Sequence, residues 1–380
     1  MTPGYQYGPI TRVKGRLLPT HTSRRQPHQS TTLPSRTDTL IADIELCGNV
    51  YCLELAGDED AFAACEAATA ASAVEIVAPG VATARGIAAD RVRNLAYTHA
   101  ASELVATTAA DIDAAELALE AATVDRTGSI AVRARDIRSQ TGCSTRTAER
   151  RLGSVLVDRG FSVDLDDPDH ELRVLFSEGE VDGEKRDVCL LGWLAAESKR
   201  DYGDRRPTDR PFFQPGSMAP LDARALVNIA GAGPDTRVVD PMCGTGGLLL
   251  EAALVGSSVL GVDAQWKMTR GSRENLTALV GDANFEIVHG DATALPVVDD
   301  SADAVVFDAP YGRQSKVARH ELADLVGGAL AEARRIADRA VVVADRPWEK
   351  EARNAEWTVD HRFERRVHGT LVRHVHVLSG

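Results

Sequence analysis

The stretch Val238-Val239-Asp240-Pro241-Met242-Cys243-Gly244-Thr245-Gly246-Gly247-Leu248 decides the fold class, because it runs from an apolar strand through glycines straight into a helix. Glycine is needed at such a turn when a ligand must lie against the backbone and a side chain would fill that space. The spacing matches neither the dinucleotide GxGxxG nor the GxxxxGK[ST] of a P-loop, and no lysine stands near to hold a phosphate. Phosphate-bearing cofactors are therefore disfavoured.

Outward from this turn, the text after Phe212 alternates strands with amphipathic helices at the rhythm of a doubly wound parallel sheet. Strands are predicted at Arg237–Asp240, Ser258–Asp263, Phe285–His289, Ala304–Asp308 and Ala340–Ala344, with a helix at Leu221–Ile229 before the first. Period-two alternation over Asp360–Arg366 and Leu371–Leu378, around His368-Gly369, predicts an antiparallel hairpin at the sheet's edge. Acids close three successive strands: Asp240, Asp263 and Asp291. In an open α/β sheet such positions converge on one crevice. There Asp263 can accept from both ribose hydroxyls of a nucleoside and Asp291, beside Ala292, can take an adenine amino group, while Gly244, Thr245 and Gly246 line the backbone cradle. A sulfonium cation suits this acid-lined pocket better than a phosphorylated cofactor does.

The first half reads as α+β. A strand at Val50–Leu55 is followed by an Ala-rich helix capped by Asp58 and reaching Val74, then a strand at Glu75-Ile76-Val77. Helices are predicted at Tyr97–Ala106, Asp111–Ala121 and Thr145–Asp158, and strands at Ser129–Arg133, Phe161–Leu165 and Glu171–Phe176. Residues 1–49 form a basic, Pro- and Ser-rich stretch expected to be a disordered tail or a start placed too far upstream. Residues 50–178 are expected to form one α+β region, 179–210 an interdomain linker rich in Gly, Asp and Arg, and 211–380 an α/β domain.

Six cysteines without a CxxC pair suggest neither zinc nor a disulfide framework and fit a reducing cytoplasm; no metal is expected. No apolar run approaches the ~20 residues of a membrane helix. The net charge is −13, and only six of the 43 basic residues are lysine. That acidic, lysine-poor balance fits a halophilic source, or equally a GC-rich genome, and makes global charge a poor guide to partners. Local charge is more informative. From Arg126 to Arg159 eight arginines, among them Arg133, Arg135, Arg146, Arg150 and Arg151, face only Asp136, Glu149 and Asp158. Their planar donor forks suit phosphate.

The fourth strand ends in Val306-Phe307-Asp308-Ala309-Pro310-Tyr311-Gly312-Arg313, which resembles the Asp-Pro-Pro-Tyr motif of class I methyltransferases that act on amino groups of bases. An exocyclic amine is a poor nucleophile because its lone pair is delocalised into the ring. A carboxylate and a carbonyl must accept its hydrogens and aim that pair at the methyl group. Asp308 and the Ala309 carbonyl can do so, Pro310 biases the loop toward extension, and Tyr311 can stack on the base. Alanine replaces the motif's first proline at 309, which leaves the loop somewhat less rigid.

Together with Arg210-Pro211-Phe212-Phe213-Gln214-Pro215-Gly216-Ser217-Met218, these motifs resemble the archaeal THUMP-containing tRNA guanine-N2 methyltransferases that modify position 10, over roughly residues 50–380. The resemblance implies a Rossmann-like class I methyltransferase sheet, an N-terminal ferredoxin-like piece joined to a THUMP module that grips tRNA, S-adenosylmethionine as cofactor, and one or two methyl additions to one nitrogen. Ribosomal RNA guanine and adenine N6 of DNA are alternative acceptors for the same Asp308 motif, and a decayed RNA-binding protein is the non-enzyme alternative. Cytosine C5 transfer is disfavoured, since no cysteine here follows a proline.

Overall fold

The computed structural model describes residues 49–311, 319–368 and 371–380. The basic stretch before residue 49, Gly312-Arg313 and Gly369 lie outside the described residues.

In the first half, an eight-stranded sheet has the order β3-β4-β1-β6-β10-β9-β7-β8. Its strands are β1 (Tyr51–Leu55), β3 (Glu75–Ala78), β4 (Val81–Ala84), β6 (Thr98–Thr108), β7 (Ser129–Asp136), β8 (Ser162–Val163), β9 (His170–Val181) and β10 (Glu184–Glu197); β2 (Ala71–Ser72) and β5 (Gly86–Ile87) pair separately. The helices are α1 (Asp60–Ala67), the single turn α2 (Ala89–Val92), α3 (Ile112–Ala121) and α4 (Thr145–Asp158). Side chains start two of them: Asp111 accepts from Ala114 N at 2.9 Å and Ser144 from Thr147 N at 3.3 Å.

Three sequence expectations are corrected here. Residues 97–106, expected as a helix, belong mainly to strand β6, which is hydrogen-bonded to β1 and β10 on its two sides. Small residues such as Ala100, Ala101 and Ser102 let it sit buried between neighbours, and two ladders outweigh an alanine helix preference worth under ~1 kcal/mol per residue. The helix after β1 stops at Ala67 instead of Val74, and Asp58 does not cap it: Glu59 holds the cap position without a side-chain bond. Asp60 instead accepts from Gly80 N at 3.0 Å and from Arg138. Within the expected linker, β9 and β10 form a long hairpin turned at Asp182-Gly183, both with positive φ as a two-residue turn requires. The charges of residues 184–187 decorate its tip, so high charge density there marked an exposed strand end and not a spacer.

From residue 220 the chain builds α5 (Pro220–Ala230), β11 (Arg237–Asp240), α6 (Gly247–Leu254), β12 (Ser258–Asp263), α7 (Trp266–Leu279), β13 (Phe285–His289), β14 (Ala304–Asp308), α8 (Arg319–Ile336), β15 (Arg339–Ala344), α9 (Glu349–Asn354), β16 (Thr358–His368) and β17 (Leu371–Ser379). The sheet order is β13-β12-β11-β14-β15-β17-β16, with β11 to β15 parallel and β17 antiparallel to β15. Alternate strand residues feed two cores. Val238, Val306 and Val341 pack with α5 and α6 on one face, while Val239, Phe307 and Val342 pack with α8 on the other. The order reverses between β11 and β14, which opens a crevice at their carboxyl ends.

The first core continues into the N-terminal half, where Leu53, Phe62 and Ala101 join the cluster of Leu226 and Val341. Glu66 on α1, fully buried, accepts from Ala96 N, Tyr97 N and Asn228 Nδ2 at 2.6–2.7 Å. A second buried acid, Glu251 on α6, accepts from Arg205 Nε at 2.6 Å and Nη2 at 3.0 Å and pairs with Arg224 at 2.8 Å. Among the described residues no helix is long and apolar enough to cross a membrane.

Candidate active site

The crevice is organised around the glycine turn that follows β11. Gly244 and Gly246 have φ of +52° and +77°, a conformation in which a β-carbon is strained. A methyl at Gly246 would also run into Ser272 and Leu276, whereas one at Gly244 would meet only Met242 O, at 4.0 Å. Packing thus fixes Gly246, while Gly244 leaves its outer face clear for a ligand. Asn275 on α7 ties the 210–218 segment to this turn, accepting from Phe212 N at 2.8 Å and donating to Thr245 O at 2.9 Å. Thr245 Oγ1 lies 3.2 Å from Ser217 Oγ.

Two of the three expected acids flank the turn directly. Asp240 is 2% exposed and accepts from Met242 N at 3.0 Å; burial, with the Asp263 and Asp308 charges nearby, pushes its pKa well up. Asp263 accepts from Gly244 N at 3.0 Å through Oδ2 and from Gln265 N at 2.8 Å through Oδ1, and burial raises its pKa too. Each oxygen retains a lone pair, so the carboxylate that braces the turn can still accept from two hydroxyls. Asp291 is exposed, and its Oδ1 accepts from both Thr293 N and Thr293 Oγ1 at 2.9 Å, with the Thr293 amide holding its carboxyl below the usual range; Ala292 is buried behind it. Sequence reasoning missed an aromatic pair that joins the start of α7 to the end of β13. Trp266, 67% exposed, stacks on His289 with ring centroids 4.1 Å apart. Its signal was an aromatic three residues beyond Asp263.

These groups fit S-adenosylmethionine: buried acids for a cation, an open glycine face, and paired acceptors for a ribose. Asp263→Ala should weaken binding of that cofactor by about 1.5–3 kcal/mol, the scale for hydrogen bonds to a charged group. Titration calorimetry checks it, and unchanged affinity would remove Asp263 from the site.

Asp308 and Tyr311 stand together at the end of β14. Ala309 is buried and donates to Val343 O at 2.8 Å, which fixes the start of the loop in the absence of the usual proline. Burial pushes the Asp308 pKa up to about 6, the Arg373 guanidinium and the Tyr311 hydroxyl hold it down, and Asp345 adds a small upward push. Asp308 Oδ2 lies 3.9 Å from Arg373 Nη2, and Oδ1 is buried with no hydrogen-bond partner among the described residues. Arg373 Nε donates to Tyr311 Oη at 3.0 Å.

The fold supplies acidic partners to much of the arginine island. Arg133 donates to Leu165 O and faces Glu171 at 3.7 Å, Arg135 lies 3.5 Å from Glu54, and Arg151 is held between Asp113 at 2.6 Å and Glu116. Arg126 and Arg138 pair with Glu103 and Asp60. Counting acids within one window overlooked those that β1, β6, β9, α1 and α3 bring from elsewhere. Of the five arginines expected to bind RNA, Arg146 and Arg150 are exposed and have no acidic partner among the described residues. They line a groove of about 480 Å³ between α4 and β7, whose apolar part includes Val163 and Leu165.

Residues 207–374 match the family described as RMKL-like, methyltransferase domain. The tRNA (guanine(10)-N2)-dimethyltransferase of Methanothermobacter thermautotrophicus is 35% identical over 297 residues, 76% of this chain and 84% of that protein. The protein of the same description from Methanocaldococcus jannaschii is 29% identical, over 60% of this chain and 63% of its own. The crystal structure of TrmN from Thermus thermophilus aligns with 87% of this chain and 99% of its own, at 23% identity and a TM-score of 0.46.

Proposed function

The chain belongs to the tRNA (guanine(10)-N2)-dimethyltransferase family, and from that premise we propose that it methylates the exocyclic N2 of guanine 10 in tRNA, once or twice, using S-adenosylmethionine. The observation that carries this reading is the carboxylate of Asp308, raised in pKa and half-buried at the mouth of an acid-lined crevice.

Bound S-adenosylmethionine supplies an electrophilic methyl group. Asp263 would hold its ribose, Asp240 would keep the glycine turn in shape through Met242 N, and Gly244 would let it lie close. Asp308 accepts an N–H of the guanine amine, which localises the lone pair and offsets the positive charge growing on nitrogen. The Ala309 carbonyl takes the second hydrogen and the Tyr311 ring covers the base. With a pKa near 6, Asp308 is mostly ionised at neutral pH, as an acceptor must be. Nucleoside mass spectrometry of tRNA treated with the protein tests the reading. N2-methylguanosine or its dimethyl form is expected; methylation of adenosine, or of ribosomal RNA alone, would overturn it.

The α+β first half, with its eight-stranded sheet, supports a ferredoxin-like and THUMP arrangement that presents tRNA to the crevice, and Arg146 and Arg150 are its phosphate contacts. Arg146→Ala with Arg150→Ala should raise the apparent KM for tRNA and flatten the salt dependence of binding, since each lost contact releases fewer counterions. Cofactor affinity should not move. An unaltered salt slope would place the RNA surface elsewhere. The acidic, lysine-poor composition further supports work in a salt-rich cytoplasm. A melting temperature that rises from dilute to molar potassium chloride is the expected sign, and a flat response would leave the composition to codon usage.

A further inference from the structure

In the hairpin β16–β17, Arg365 and Arg373 are direct cross-strand partners. Like charges placed opposite one another repel, so the pair persists only because something compensates it. Asp222 on α5 does so, with Oδ1 3.1 Å from Arg365 Nη1 and Oδ2 3.8 Å from Arg373 Nη1. Arg365 is further pinned from the first half of the chain: Glu59 pairs with it at 2.7 Å, and its guanidinium lies over the rings of Phe62 and Tyr97. Tyr97 Oη donates to Asp222 at 2.6 Å. Arg373 itself is 7% exposed. One end of its fork faces Asp222, while Nε and Nη2 face Tyr311 and Asp308. A buried guanidinium this constrained presents fixed donors, unlike a flexible ammonium.

From this geometry we propose that Arg373 is a positioning residue for methyl transfer: it aims the Tyr311 ring and the Asp308 carboxylate, and its charge keeps that carboxylate ionised at neutral pH. The inference rests on Asp308 being the amine's acceptor. Among the described residues four groups face Asp308 from the packed elements: Arg373 on β17, Tyr311 beside it, Asp345 after β15 and Asp240 at the end of β11. Three of these are acids or neutral, so Arg373 is the cation among them.

Charge and orientation separate by substitution. In Arg373→Met the acid limb of the kcat profile should move up by about one pH unit, the low end for losing an opposite charge within 4–6 Å. Arg373→Lys keeps a charge without the fork. It should leave the limb nearly in place while kcat falls on the order of tenfold from misdirected groups. Asp222→Asn frees Arg373 from its competing carboxylate and should move the limb the other way, toward acid. Because Met at 373 could unfold the hairpin, a carbon-13 titration of the Asp308 carboxyl in the Lys and Asn variants gives a second readout. Limbs that superimpose on wild type in all three variants overturn the role of Arg373. A wild-type profile with no acid limb near pH 6 instead overturns Asp308 as acceptor, so the two failures are distinct.

Discussion

Asp308→Asn is expected to lose roughly 10²–10⁴ in turnover, the usual scale for removing an acid–base group, while affinities for S-adenosylmethionine and tRNA stay near wild type. The asparagine keeps the shape but offers an NH₂ where the guanine amine needs an oxygen. Wild-type turnover should also fall as pH drops through about 6, where Asp308 takes up a proton, and the variant should lack that limb. Stability moves the opposite way. The folded pKa lies above the ~3.9 of an unfolded aspartate, so Asp308 favours folding below that value and this contribution is lost as pH rises through about 6. Removing the ionisable group should therefore hold or raise the melting temperature at pH 8. A variant that keeps its turnover, or that loses activity together with a lowered melting temperature, would mean Asp308 is not the catalytic acceptor.

Glu251→Ala should cost about 3–5 kcal/mol, the range for breaking a buried ion pair by removing one partner. The change leaves Arg205 and Arg224, 6% and 4% exposed, without the acid between them. Glu251→Gln, which still accepts hydrogen bonds, should cost less. Urea unfolding measures both, and a loss below about 1 kcal/mol for alanine would show that water reaches the site. Because Arg205 belongs to the segment leaving β10 and Glu251 to α6, right behind the glycine turn, the variant should also weaken cofactor binding.

Four of the five parallel strands were readable to the residue, and the fifth, β15, begins one residue earlier, at Arg339. Buried parallel strands are short, near-continuous apolar runs, and four of these five end on a strand-closing Asp or His. Residues 97–106 failed because alanine satisfies both a helix and a crowded central strand, and only neighbours 50 or 90 positions away decide between them. Charge failed for the same reason, since Glu54, Glu116 and Glu171 reach the arginines only through the fold. The positions of Asp308 and the glycine turn were legible because the strand ends that carry them are local signals. Arg373 was overlooked, although on β17 it shares the phase of Val375 and Val377, which pack against the first core.

The hairpin that carries Arg365 and Arg373 comes after every other described residue of the crevice, and this orders the events of biosynthesis. A ribosome delivers Asp240, Asp263 and Asp308 well before β17, so the cofactor cleft can close on a nascent chain that still lacks its guanidinium. Until β16 and β17 emerge, β15 shows the open edge of Val341-Val342-Val343, a template for pairing with other chains. This hairpin therefore covers the β15 edge in the same step that delivers the guanidinium proposed to aim Asp308.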